Sequence, residues 1–302
     1  MNQKSLHTVR KFKVAGHLFS LALPACEELW KELSQYDPFE VEDADNELFT
    51  LSVTEDLQWN PNDVLYDVEP EPGQTVIKVY SCPDGLLVEM SPERRIAAVA
   101  RLWTDSSFRT ARLRMEPGIS ARSAIFAINN SLMLLYAFAT APFGTLEMHA
   151  SVILKDSRAY FFLGKSGTGK STHSRLWLQN IPGSELMNDD NPVVRIMPDG
   201  TLRAFGSPWS GKTPCYRNVE APVGAFVSLT QAPRNAISRL SLAGSYAVLY
   251  ASSSGLRRIR KMADGLHETL AAAATSVPCY SLECLPDADA ALLCFSTVSK
   301  YE

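Results

Sequence analysis

The stretch Gly164-Lys165-Ser166-Gly167-Thr168-Gly169-Lys170-Ser171 fits the pattern GxxxxGK[ST], and it lies between an apolar run, Tyr160 to Leu163, and a predicted helix. Glycines in such a loop let the backbone take positive φ, so that successive amide N–H groups converge on one centre. The helix that follows adds the partial positive charge of its N-terminus. That arrangement holds polyphosphate. Lys170 is placed to reach the β and γ phosphates of a nucleotide, and the Ser171 hydroxyl is a hard oxygen of the kind Mg²⁺ accepts alongside phosphate oxygens. Lys165 and Thr168 read as variable fillers of the same loop.

About twenty residues further on, Asp189-Asp190 follows a short apolar segment. Paired acids at a strand end suit a division in which one carboxylate meets Mg²⁺ and the other faces an acceptor hydroxyl, whose proton it can take; a turn or helix-cap pair is the plainer alternative. His149 lies on the strand before the loop strand, and antiparallel pairing brings it level with the start of the loop, as charge stabiliser, metal ligand or packing residue. His173, just after the loop, is expected to face solvent or the neighbouring sheet. Downstream, Lys212 or Arg217 is placed to neutralise a migrating phosphoryl charge, or else belongs to a structural turn. The run Arg257, Arg258, Arg260 and Lys261 reads as a solvated helix face, with a subunit boundary of a homo-oligomer or an acidic peptide as the active alternatives.

The elements that must position these residues are legible from hydrophobic period and turn residues. Lys11 to Leu23 alternates around a Gly16-His17 turn, and Leu48 to Val53, Thr75 to Tyr80, Gly85 to Met90 and Phe108 to Met115 are further predicted strands, so the first third is β-rich. Glu40 to Glu71 is acidic and reads as a surface loop framing one strand. A helix is predicted over Ser120 to Ala139, with Ser120 as N-cap, Phe126, Leu132, Leu135 and Tyr136 facing a core, and Pro142 as its stop. His149 to Leu154 and Arg158 to Leu163 form a hairpin that feeds the loop. A helix from Lys170 to Gln179, a strand at Glu185 to Met187, and a hairpin of Val193 to Met197 with Thr201 to Phe205 follow. The rest reads as a strand at Gly224 to Leu229, helices over Leu242 to Ala251 and Gly255 to Ala274, a strand at Cys279 to Cys284 and a helix from Asp287. The class is α/β, a mixed sheet with flanking helices, preceded by a smaller β-rich region; the boundary is placed after residue 116, giving 1–116 and 117–302.

Composition narrows the function. The 302 residues are 46% hydrophobic and 21% charged, which excludes disorder as a description of the whole chain. A net charge of −4 gives no electrostatic reason to attract nucleic acid or an anionic membrane, so neither is an expected partner. Six scattered cysteines contain no CxxC pair, as expected of thiols in a reducing cytosol. Neither Met1 to Lys11 nor Lys13 to Leu23 reads as a secretion signal, and Ser123 to Phe143, interrupted by Asn129, Asn130 and Ser131, reads as a buried helix; the expected location is cytoplasmic.

His149, the loop GKSGTGKS at 164 to 171 and Asp189-Asp190, in that order, resemble the catalytic core of the HPr kinase/phosphorylase family and, more distantly, of ATP-dependent phosphoenolpyruvate carboxykinases. The resemblance spans roughly Leu146 to Ser228, and Ser166 and Gly167 match the family's more restrictive loop. It implies that Gly164 to Thr172 line ATP, that Lys170 binds phosphate, and that Ser171 and Asp190 hold Mg²⁺. It further implies that Asp189 is the general base and that His149 lines the transfer site. Two departures stand out: Thr172 occupies a position where HPr kinases usually carry Glu, and Arg203 to Lys212 matches their glycine-rich signature only loosely. The expected activity is ATP- and Mg-dependent transfer of a γ-phosphoryl group to a serine-type hydroxyl of an unidentified protein, peptide or small molecule. By elimination, Met1 to Glu116 recognises the substrate or partner. A nucleotide-binding regulatory switch without transfer is the first alternative and a carboxykinase-like enzyme the second.

Overall fold

A computed structural model describes residues 7–42, 45–67, 75–211 and 213–300. The protein is of mixed α/β class with two mixed sheets, and it divides into two compact units, Met1–Thr140 and Ala141–Glu302. The division falls after Thr140 and not after residue 116, because the helix over 121–140 packs on the strands of the first unit.

In the first unit, β1 (His7–Val14), β2 (His17–Pro24), a short helix α1 (Glu27–Glu32), β3 (Phe49–Val53), β4 (Val64–Asp67), β5 (Val76–Cys82), β6 (Gly85–Ser91), β7 (Ala100–Asp105) and β8 (Thr110–Met115) precede α2 (Ala121–Thr140). The strands lie in the order β1-β2-β3-β8-β7-β6-β5-β4, with β2–β3 and β3–β8 parallel and the rest antiparallel. Alternation along β7 and β8 turns Ala100, Leu102, Ala111 and Leu113 into the core, and Arg101, Trp103, Arg112 and Arg114 away from it. Ser120 caps α2 as expected, its Oγ accepting from the Ser123 amide at 3.2 Å. Tyr136 anchors the helix by donating to the Val14 carbonyl (3.1 Å), and the Phe138 ring packs 5.8 Å from that of Phe108. By length and composition Ala121–Phe143 could cross a membrane, yet 67% of its apolar window is buried.

The second unit contains β9 (Thr145–Glu147), β10 (Ala150–Lys155), β11 (Arg158–Leu163), α3 (Lys170–Asn180), β12 (Glu185–Asp190), β13 (Val193–Ile196), β14 (Leu202–Phe205), β15 (Glu220–Gln231), β16 (Ala236–Arg239), α4 (Leu242–Ser252), α5 (Arg260–Ser276), β17 (Cys279–Cys284) and α6 (Ala288–Val298). Its sheet runs β12-β10-β11-β15-β14-β13-β9, with β17 beside β15 and β16 beside β17. β11, β15 and β17 are parallel. Ile153, Tyr160, Phe162, Val227 and Leu282 form one buried face, on which Trp177 of α3 and Cys294 of α6 pack. Phe161 and Phe226, which alternate with those residues, pair 5.0 Å apart on the opposite face.

Several expectations shift in detail. The first hairpin turns at Ala15-Gly16, both at positive φ, and His17 is already the first residue of β2. α1, β4, β9 and β16 are short or weakly alternating and are not predicted; β7 alternates as the other strands do but is likewise not predicted. The helix predicted from Gly255 begins at Arg260, because Gly255 sits at φ +149, outside any helical conformation.

Candidate functional site

The loop after β11 has the backbone its glycines permit. Gly164, Gly167 and Gly169 sit at φ +147, +81 and +102. A Cβ on Gly164 would lie 2.6 Å from Thr168 Oγ1, and that hydroxyl donates to the Lys165 carbonyl at 2.9 Å. Thr168, read from sequence as filler, therefore closes the turn. Gly169 begins α3 and offers no side-chain cap, so the helix N-terminus faces the loop uncapped, the arrangement that accepts anions. Lys170 folds back over this cradle, its Nζ donating to the carbonyls of Gly164 (2.9 Å) and Lys165 (3.4 Å). The far wall is held by Gln231 at the end of β15, whose amide donates to the Gly167 carbonyl at 3.1 Å. α3 itself is fixed by a Ser151–Ser174 hydroxyl pair (2.6 Å) and by His173, buried edge-on against Phe162 at 4.6 Å. His173 thus faces the sheet, and burial lowers its pKa to about 4.

The two acids lie where β12 ends, and strand alternation sends them to opposite faces. β12 carries an extra residue at Met187, after which Asp189 pairs with Ser151 and Asp190 with Ala150. Ser151 points at α3, and so does Asp189: its Oδ1 accepts from the Ser171 hydroxyl at 2.9 Å. Asp190 turns the other way, where its Oδ1 lies 3.2 Å from His149 Nδ1. The four groups share one electrostatic field. Burial lowers the Lys170 pKa against the opposing pull of Asp190 and Asp189. Burial also lowers that of His149, helped by Lys170 and opposed by the same two acids. A third carboxylate, Glu147 on β9, is buried with neither oxygen hydrogen-bonded, and burial together with the charge of Asp190 pushes its pKa well above the usual range.

No protein-family model matches this chain, and no curated protein gives a significant match.

Residues 206–211 and 213–217 lie as a strap along the outer edge of β12. The Gly211 amide and the Ser210 hydroxyl both donate to the Asp189 carbonyl, the latter at 3.0 Å. Gly211 permits this approach, since a Cβ there would stand 3.1 Å from that of Asp190. Asn188, fully buried, ties the strap down by donating to Ser207 Oγ and the Trp209 carbonyl, both at 3.1 Å. Asp190 sits at φ +131, a strained value for a residue with a side chain, in a short β-bridge to Ser210.

Other expected residues fall elsewhere. Arg217 binds the Leu186 carbonyl (2.7 Å) and Glu185 (2.8 Å) at the opposite end of β12, about 13 Å of strand from Asp190, and does not reach the loop. Lys212 lies outside the described residues. Arg257 is not on a helix face: it caps the end of α4 through the carbonyls of Tyr250 (2.7 Å) and Ser253 (2.9 Å). Arg258 also precedes α5, which Arg260 and Lys261 begin. Thr172 accepts from Arg175 at 3.4 Å in the first turn of α3.

Among the described residues no group of three or more His, Cys, Asp or Glu side chains is arranged to hold a metal. Ser171 and Asp189 offer two hard oxygens, a sparse set that suits Mg²⁺, which is commonly held by one or two carboxylates together with substrate phosphates. Asp189, Thr168, Gln231 and Glu147 have roles that motif spacing alone did not reveal. Strand alternation would have separated the two acids; nothing local marks the other three.

Proposed function

We propose that this chain is an ATP- and Mg²⁺-dependent phosphotransferase, similar to the HPr kinases, that moves the γ-phosphoryl group to a serine-type hydroxyl of a protein, peptide or small molecule. The separation of the two acids carries the reading: Asp189 against the Ser171 hydroxyl and Asp190 against His149, both beside the loop that precedes α3. It exchanges the roles expected from the resemblance. Asp189 joins Ser171 as the metal-side oxygen, and Asp190 is the proton acceptor.

The loop amides and the N-terminus of α3 bind the triphosphate, and Lys170 exchanges its bonds to the Gly164 and Lys165 carbonyls for phosphate oxygens. Mg²⁺, when bound, neutralises charge on the phosphates. Asp190 takes the acceptor's hydroxyl proton as that oxygen bonds to the γ phosphorus, while the bond from phosphorus to the β–γ bridging oxygen breaks and ADP leaves. His149, whose pKa burial lowers, stands beside this acceptor with Nδ1 3.2 Å from Asp190 Oδ1 and lines the transfer site.

Incubating the full chain with γ-labelled ATP, Mg²⁺ and a lysate of its own source cells tests this. A discrete acceptor should carry label, and Asp190→Asn should abolish labelling while nucleotide binding persists. Labelling that survives Asp190→Asn removes Asp190 as base; nucleotide-dependent protease protection with no label transferred replaces the transferase by a switch.

A further inference from the structure

The first unit carries a surface that no step of the proposed reaction uses. Between Arg94 and Arg122 the chain holds seven arginines and no lysine against two acidic residues, within a protein whose net charge is −4. Strand register gathers part of this charge on the solvent side of the sheet. One row runs Ser52, Arg112, Trp103, Leu87, Tyr80 and the next runs Arg114, Arg101, Glu89, Lys78, Asp67. The second row is largely self-neutralised: Arg101 binds Glu89 (2.9 Å) and Glu116, and Lys78 binds Asp67 (3.1 Å).

On the β8 side the balance fails. Among the described residues no carboxylate lies within ion-pair distance of the side chains of Arg109, Arg112 or Arg114. The guanidinium of Arg112 lies 5.8 Å over Trp103 and that of Arg114 lies 5.3 Å over Trp59, which Arg101 also approaches at 4.8 Å. Arg112 and Arg109 are exposed, and Trp59, Trp103 and Tyr80 are half-exposed. Stacking pre-orders each guanidinium without using its hydrogen-bond donors, and Arg with Trp and Tyr is the composition of binding hot spots rather than of idle surface.

We propose that this face docks an acidic stretch of an extended polypeptide. Arg112 and Arg114 are two residues apart on one strand, about 7 Å, which matches carboxylates on alternate residues of an extended partner. The tryptophans receive the apolar side chains of that stretch. A nucleic acid fits less well, because Glu89, Glu116 and Asp105 are interleaved with the arginines. A phosphodiester backbone cannot omit charge opposite them, whereas a peptide can.

The test uses the full chain without nucleotide, so its outcome is independent of phosphoryl transfer. Fluorescence anisotropy is followed for a labelled octapeptide alternating Asp and Val, for its Lys-Val counterpart and for an eight-residue oligo-dT. Saturable binding of the Asp-Val peptide is expected, weakened by salt and weakened about tenfold or more by R112E/R114E. Arg158→Glu, an exposed reversal on β11, should leave it unchanged. Arg109→Glu, in the loop before β8, provides a weaker reversal should the double variant fold poorly. Absence of saturable binding by the wild type, equal binding by folded reversal variants, or tighter binding of oligo-dT each overturns the proposal.

Discussion

The two faces of the β12 terminus present the same side chain to unlike surroundings. Asp189 is nearly fully buried against α3 and bonded to a hydroxyl; Asp190 is partly open, 3.2 Å from a histidine nitrogen and held at a strained φ. One peptide unit separates them, yet a strand's alternation sets one against the Ser171 hydroxyl and the other beside His149, which is what the proposed division of roles rests on. Identity of residue type therefore says little about role, and direction relative to the sheet says much.

Substitution is the strongest way to break that contrast. Asp190→Asn should lower turnover by roughly 10²–10⁴-fold with its Mg²⁺ requirement unchanged, as loss of a general base does. Asp189→Asn should instead raise the Mg²⁺ concentration needed for half-maximal rate. A titration of rate against Mg²⁺ reads both, and matching profiles would erase the distinction. Next in size, Asp190→Gly removes the backbone strain along with the carboxylate, so denaturant unfolding should show it more stable by roughly 1–3 kcal/mol even as activity vanishes. A variant no more stable than wild type would mean that the strain is not stored there.

Glu147 sharpens the picture from the buried side. Its folded pKa is raised, so the native state holds a proton that the unfolded chain releases above pH ~4.3. Stability must then fall as pH climbs from there toward the folded value. Relative to Glu147→Gln, the wild type should lose stability as pH rises from 5 to 8 by urea unfolding. A flat difference would place a bonding partner on that carboxylate. The smallest effect is spectroscopic: Asp190→Asn should lower the His149 pKa further and Lys170→Ala should raise it, both followed by NMR of the imidazole.

Much of the second unit was legible beforehand because local and tertiary signals agree there. The hairpin into the loop, α3 and the strand carrying the acids each have a strong apolar period and a punctuating turn, and the residues singled out on them converge. What stayed hidden depends on long-range pairing. Spacing along the chain does not say which acid faces Ser171, because the extra residue at Met187 resets the phase of the strand. Gln231 meets Gly167 across 64 positions of sequence, and the burial of Glu147 reflects β9 pairing with β13. The arginines of β8 were likewise visible as letters, but their lack of acidic partners emerged only from the register of the sheet.

The strap along β12 has a consequence for any polypeptide acceptor. Its bonds to the carbonyls of Leu186, Met187 and Asp189 occupy the flank of the outermost strand, so an incoming chain has no open ladder to extend. On the proposed function, a hydroxyl must arrive end-on, from a protruding turn or a free tail, and a substrate presenting its serine in the middle of a regular strand would be turned away.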